Sequence, residues 1–301
     1  MKPQRTRATH LLFACLLAMA PVIASASTLE RVRASNTLTL GYMANLAPFS
    51  VQAGDSAQGY AIDLCLKVAD KLKSELGLPT LQVRYQPMTI DDEMLAVSSG
   101  KVDILCTPTP PTLKRRQRVS YSIPIYTAGL SAGVRQDAAE SLLNVLNGKV
   151  ARTGPTWRAT VNHGLSNQTY ATTAGGISEA WIRQQMQLLG VVSNLVTVPD
   201  TAAGLKLVAE GKADAFFAER MLLSNLLANQ PATSNLILLD RVFEYSPTAM
   251  ALARDDEDFR LLVDTALSEM YRSGEIEQAY ARHLGGVGEM AKKLFKVYAI
   301  P

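Results

Sequence analysis

The chain is poor in the residues that most often carry chemistry. Its 301 residues include three cysteines, three histidines and two tryptophans, and aromatic residues make up 6%. His10 lies in the N-terminal segment, which leaves His163 and His283, and neither has acidic or thiol residues at metal-ligand spacing. A metal site is therefore not expected. There is no phosphate-binding loop and no dinucleotide fingerprint, so no cofactor is expected either. Beyond the N-terminus no stretch approaches the roughly 20 apolar residues that a membrane-spanning helix needs. Internal sequence repeats and low-complexity runs are absent.

Residues 1–26 read as a cleavable export signal. Lys2, Arg5 and Arg7 form a basic start, Leu11 to Ile23 an apolar run too short to span a bilayer, and Ala24-Ser25-Ala26 an A-x-A cleavage site. A lipid-attachment reading at Cys15 is the alternative, and Phe13 fits it poorly. The whole chain carries 30 Lys+Arg against 27 Asp+Glu. All three cations of residues 1–26 leave with the signal, and what remains is 27 against 27. The basic pI thus belongs largely to the discarded segment, and nucleic acid is not expected as a partner. The expected location is the periplasm. There, the two remaining cysteines, Cys65 and Cys106, favour a disulfide. Cys65 falls on the inward stripe of a helix (Ala61, Leu64, Cys65, Val68, Leu72), and Cys106 ends a strand that this helix should cover. The alternative is two buried free thiols.

The remaining chain alternates strands and helices. Strands are predicted at Leu38–Tyr42, Leu81–Tyr85 and Val102–Cys106, with helices at Tyr60–Ser74 and Ile90–Ser99 between them. This βαβ rhythm predicts a parallel sheet with covered faces. A second α/β set runs from a strand at Thr169–Thr173 to one at Leu236–Leu239, including the helices Ile177–Leu189, Thr201–Glu210 and Arg220–Asn229. Helices at Glu257–Arg272, Glu275–His283 and Glu289–Val297 follow. The polar, Pro/Gly-bearing segment 151–167 reads as an insertion.

The most informative stretch is Gly100 to Ser122, a short apolar strand, a turn and a helix start carrying Arg115. Such a turn lies at the carboxyl edge of a sheet, where α/β proteins bind small ligands. Together with Gly59, Tyr60, Asp63 and Leu64 upstream, the residues Gly100, Lys101, Asp103, Thr112, Arg115, Tyr121 and Ser122 resemble the periplasmic solute-binding proteins of polar amino acid ABC importers, family 3. The glutamate/aspartate branch matches best. The resemblance implies a two-lobed α/β fold, the type II periplasmic binding fold, with two crossover strands near Tyr126–Gly133 and Tyr245–Leu252 and a ligand cleft between the lobes. It divides the chain into a first lobe at 27–127, a second at 128–248, and a return to the first with the C-terminal helices at 249–301.

The same resemblance assigns roles in the cleft. Arg115 is expected to hold a ligand carboxylate through its planar guanidinium. Gly175, Gly176 and Ile177 should open a helix whose free N–H groups face the cleft, and Glu219 should meet the ligand's amino group. Thr109, Phe49 and Leu46 complete the expected ligand-binding set. Several positions depart from the family pattern: Leu46 replaces an aromatic, Pro108 and Pro110 replace donors, Gly176 and Ile177 replace threonines, and Glu219 replaces an aspartate. Each buried hydrogen bond lost costs about 1–3 kcal/mol. The expected ligand is accordingly a small carboxylate-bearing or amino-acid-like solute with a less polar body than an ordinary polar amino acid.

The chain also carries one hydrolase-like motif out of its structural context. Gly129-Leu130-Ser131-Ala132-Gly133 matches G-x-S-x-G, but a nucleophile elbow needs a helix directly after the strand, and Arg135-Gln136-Asp137 intervenes. Trp157 and Trp181 are read as packing residues. The expectation is a non-enzymatic, monomeric binding protein of an ABC importer that hands its solute to a membrane permease. The alternatives are a sensor or accessory protein of the same fold without transport, or an enzyme resembling the periplasmic cyclohexadienyl dehydratases.

Overall fold

The computed structural model describes residues 27–149 and 164–301. The expected export signal and all but the last few residues of the expected insertion lie outside the described residues.

The first half opens with a helix absent from the sequence reading, α1 (Thr28–Ser35), which Ser27 and Glu30 start with a reciprocal capping box. Strand β1 (Thr37–Met43) follows. Three very short strands, β2 (Asn45–Leu46), β3 (Ser50–Ala53) and β4 (Ser56–Gln58), form a separate antiparallel sheet. Helix α2 (Tyr60–Leu76) buries Ala61, Leu64, Cys65, Val68 and Leu72, the predicted stripe. It ends at Gly77 in the left-handed conformation, where the Leu78 N–H reaches the Lys73 carbonyl. Strand β5 (Gln82–Met88), α3 (Glu93–Ser98), β6 (Ile104–Thr109) and the single turn α4 (Leu113–Arg116) complete this part.

The chain then crosses on β7 (Val119–Arg135), a 17-residue strand. The second half comprises α5 (Glu140–Leu146), β8 (Thr169–Thr173), α6 (Ile177–Leu189), β9 (Asn194–Val198), α7 (Thr201–Ala209), β10 (Ala215–Glu219), α8 (Arg220–Asn229) and β11 (Leu236–Leu238). Strand β12 (Glu244–Ala253) returns, and α9 (Glu257–Ser273), α10 (Glu275–Leu284) and α11 (Glu289–Tyr298) close the chain.

This is the two-lobed type II periplasmic binding fold. Strand β1 pairs in parallel with β5 and β6, and β8 pairs in parallel with β9 and β10. The long strands β7 and β12 run antiparallel to one another and to their other neighbours. They carry one unbroken ladder, in the order β5-β1-β6-β12-β7-β10-β8-β9, with β11 also on β7. The two expected crossover strands are the shared centre of a single ladder. The side chains still divide. Two apolar clusters draw on residues 32–126 and 249–295, and two others on residues 132–239.

Each half is held by the same clasp. In the first, the Asp103 N–H donates to the Thr39 carbonyl and the Thr39 N–H returns to the Asp103 carboxylate at 2.8 Å. In the second, Asp214 and Thr169 repeat both bonds, the carboxylate one at 2.7 Å. The sequence reading found no internal repeat, yet Gly100-Lys101-Val102-Asp103 and Gly211-Lys212-Ala213-Asp214 are one device used twice. In each, the glycine takes a positive φ, +73° and +71°.

Cys65 on α2 and Cys106 on β6 are joined as a disulfide, their Cα atoms 6.0 Å apart.

Candidate functional site

A cleft of about 900 Å³ opens between the two halves, with walls from β2, the turn after β6, α6, β10 and both crossover strands. Its placement begins at Gly59. The N–H groups of Tyr60 and Ala61, at the start of α2, donate to the carbonyls of Pro48 and Phe49. A side chain at residue 59 could not form there: φ is +129°, and a Cβ would lie 2.5 Å from the Phe49 carbonyl oxygen. The helix end therefore straps down the loop that sets Leu46 and Phe49 against the cleft. Phe49 packs 4.9 Å from the ring of Tyr126, at the middle of β7.

Tyr126 reaches across to the second half. Its hydroxyl donates to Glu219 Oε1 at 2.9 Å. Glu219 ends β10 and caps α8, accepting the Leu222 N–H at 2.9 Å on its other oxygen. Burial pushes the Glu219 carboxyl above the ordinary carboxylate range, opposed by the bonds from Leu222, Tyr126 and Gly129. Among the described residues no cationic nitrogen lies within 4.0 Å of it. Burial also holds the Tyr126 hydroxyl far up, in its neutral form.

The opposite wall is one face of α6. Ile177, Ser178, Trp181, Gln184 and Gln185 line the cleft at helical spacing. The Trp181 indole N–H donates to Glu244 at 3.2 Å while its ring packs against Phe217 and Phe243. Trp181 is thus a packing residue and a cleft wall at once, where the sequence reading assigned it packing alone. Together with Glu244 and Gln185 it also lines a second cavity of about 460 Å³ inside the second half.

Of the expected ligand-binding residues, Leu46, Phe49, Ile177 and Glu219 come together here. Thr109 is buried beside the cleft, its hydroxyl turned to the Thr107 carbonyl. Gly175 and Gly176 stand back from the lining. The Gly175 N–H donates to Glu179, which also holds Arg183, so the donor expected to face a ligand is already taken. Arg115 is not in the lining either, although its neighbours Thr112 and Leu113 are. Its guanidinium donates to the Pro110 carbonyl at 3.2 Å and faces Glu93 Oε1 at 3.7 Å. Glu93 opens α3 and is almost fully buried. Burial pushes its carboxyl up to about 7 against the pull of Arg115.

Sequence reasoning missed Tyr126, Trp181, Gln184 and Gln185 as cleft residues, and Glu93 as the partner of Arg115. The 177/181/184/185 spacing was available as a signal for the α6 face. Nothing in the linear pattern joined Glu93 to a residue 22 positions on. Ser131, the centre of the G-x-S-x-G match, is buried within β7 with its hydroxyl at the carbonyls of Leu239 and Arg241. Among the described residues no group of three or more His, Cys, Asp or Glu could hold a metal ion. No helix there is long and apolar enough to cross a membrane.

A two-halved ladder with its cleft along the crossover strands sets the frame for comparison. Residues 38–286 match the bacterial extracellular solute-binding proteins, family 3. The chain belongs to that family. Among its relatives, the L-glutamate/L-aspartate-binding protein of Pseudomonas aeruginosa is 27% identical over 88% of this chain and 82% of its own length. The L-cystine-binding protein of Escherichia coli is 22% identical over 85% of this chain and 86% of its own length. Solved structures share the fold. An ancestral amino acid-binding protein, described as a precursor of cyclohexadienyl dehydratase, gives a TM-score of 0.68 at 22% identity, covering 86% of this chain and 99% of that one. An amino acid ABC transporter substrate-binding protein of Streptococcus pneumoniae bound to L-arginine gives 0.66 at 21%, covering 90% and 100%. This solute-binding protein carries its cleft along the crossover strands.

Proposed function

We propose that this protein is the periplasmic, monomeric, non-enzymatic capture component of an ABC importer, closing two lobes on a small amino-acid-like solute and presenting it to a membrane permease. The lobes on this reading are 27–127 with 249–301, and 128–248. The observation that carries it is the Tyr126–Glu219 contact. A crossover residue and a second-lobe carboxylate meet in the wall of an open cleft that the first lobe also lines. A solute touching both walls adds contacts only when they approach, so it favours the closed arrangement. The relatives that bind glutamate, aspartate and cystine support an amino-acid-like solute.

A second reading keeps the acid group as the feature gripped. Arg115 lies next to Thr112 and Leu113 of the cleft, and release from Glu93 would free its guanidinium for a carboxylate.

The test is a thermal-shift screen of the purified protein against the amino acids, their amine and acid derivatives and small organic acids. A ligand at 100 times its Kd adds about 2.7 kcal/mol. A shift for one compound class supports the reading, and a loss of that shift in Arg115→Ala supports the second. Silence across the whole screen removes both.

A further inference from the structure

The charges facing the cleft are all of one sign. Glu219 and Glu244 line it, and no lysine, arginine or histidine does so among the described residues. Arg115 is turned to Glu93 and the Pro110 carbonyl, and Arg220, next to Glu219 in sequence, is turned to the Ser131 hydroxyl and the Leu239 carbonyl. Glu219 is held by neutral donors, among them the Tyr126 hydroxyl and the N–H groups of Leu222 and Gly129, with no counter-ion within 4.0 Å among the described residues. A carboxylate drawn out of water in this way is stabilised by a positive charge arriving beside it. Pro108, Pro110 and Pro111 line the first-lobe side and have no N–H with which to receive a carboxylate. The rest of the cleft lining suits the body of an organic cation instead. Phe49, Tyr126, Trp181 and Tyr245 offer aromatic surface, and Leu130 and Leu222 are apolar.

Resting on the solute-binding reading above, we propose that the solute is an organic cation: an amine on an apolar or aromatic body, bound without a carboxylate anchor, its ammonium donating to Glu219. An ordinary amino acid brings its own carboxylate into a cleft that already holds two, with no cation among the described lining residues to receive it. The bare amine meets the same cleft with every charge complementary.

The experiment is titration calorimetry on the purified protein with matched probes. Phenethylamine, tyramine and isoamylamine carry the amine alone, 3-phenylpropionate carries the acid alone, and L-phenylalanine and L-glutamate carry both. At least one amine is expected to bind more tightly than 3-phenylpropionate and both amino acids. In Glu219→Gln its affinity should fall about tenfold or more, the loss of a charge-assisted hydrogen bond. The ranking of probes on the parent protein needs no variant, so it stands even where Glu219→Gln folds poorly. Silence from all three amines overturns the inference. So does an amino acid or 3-phenylpropionate outranking them, particularly with binding lost in Arg115→Ala. That last result leaves the solute-binding reading intact, whereas silence here and across the wider screen removes both.

Discussion

Arg115 and Glu93 face one another at 3.7 Å, the arginine side chain 19% exposed and the glutamate side chain 6%. The chain thus places a buried acid behind the cation that the family pattern assigns to ligand capture.

Glu93 makes that pairing titratable. Burial raises its carboxyl from an ordinary 4.5 to about 7 in the folded chain. Between those values the folded chain holds a proton that the unfolded chain releases. Stability from this group is therefore present at acid pH, falls as pH rises through the window, and is gone above about 7. Glu93→Gln removes the dependence. Measured by urea unfolding, the stability of the variant relative to the parent should improve by on the order of 2 kcal/mol between pH 5 and pH 8. An unchanged difference at the two pH values would show that Glu93 does not titrate there.

The Tyr126–Glu219 bond gives a prediction of the opposite slope. Tyr126→Phe deletes a donor to a carboxylate that burial already disfavours. With the carboxylate charged, the loss should be about 1–3 kcal/mol. Where the carboxyl takes a proton it needs the donor less, so the loss should shrink toward acid pH, and because burial raises this carboxyl the change should begin above the ordinary carboxylate range. A loss that stays the same across a full pH series would mean that the hydroxyl supports packing and not charge.

Joining Cys65 to Cys106 closes a loop across 41 positions of sequence. Chain-entropy arithmetic for a loop of that length gives about 4 kcal/mol. The double variant Cys65→Ser with Cys106→Ser should lose on the order of 2–4 kcal/mol in urea unfolding. Intact mass with and without reductant should differ by about 2 Da, the two hydrogens of a dithiol.

Gly204 lies on α7 against Phe216. A Cβ there would sit 2.1 Å from the ring, and both residues are buried. Gly204→Ala should destabilise by about 1–3 kcal/mol through overpacking, despite the better helix propensity of alanine. A variant as stable as the parent would show that the Phe216 ring can move aside.

Much of the fold was legible because its signals are local. The α2 stripe follows a periodicity that burial reproduces, and the helices after β8 and the strands opening each half stand close to where the pattern put them. The stripe also foretold the disulfide, since it turned Cys65 toward β6. Elements too short to show a period were not legible, among them β2 to β4 and α4. The length of β7 was hidden too, because Pro124 and Gly129 interrupt its pattern while β12 pairs with it across both. In the cleft, the family resemblance pointed to Glu219, which does line it. The orientation of Arg115 was beyond it, for that depends on a carboxyl delivered by another helix. The Asp103 and Asp214 clasps escaped notice for a similar reason: each is a long-range bond to a threonine, and two four-residue echoes carry no weight until their partners are seen.

The position of β12 has a consequence for the order in which the molecule can be assembled. It is threaded between β6 and the start of β7, yet it is made after the entire second half. Until residues 244–253 arrive, the outer face of β6 has no neighbour, and an unpaired edge is what other chains stick to. The amino-terminal portion therefore cannot be completed early and left to wait. A truncated product stopping anywhere short of residue 253 is expected to aggregate, however well its own helices are formed.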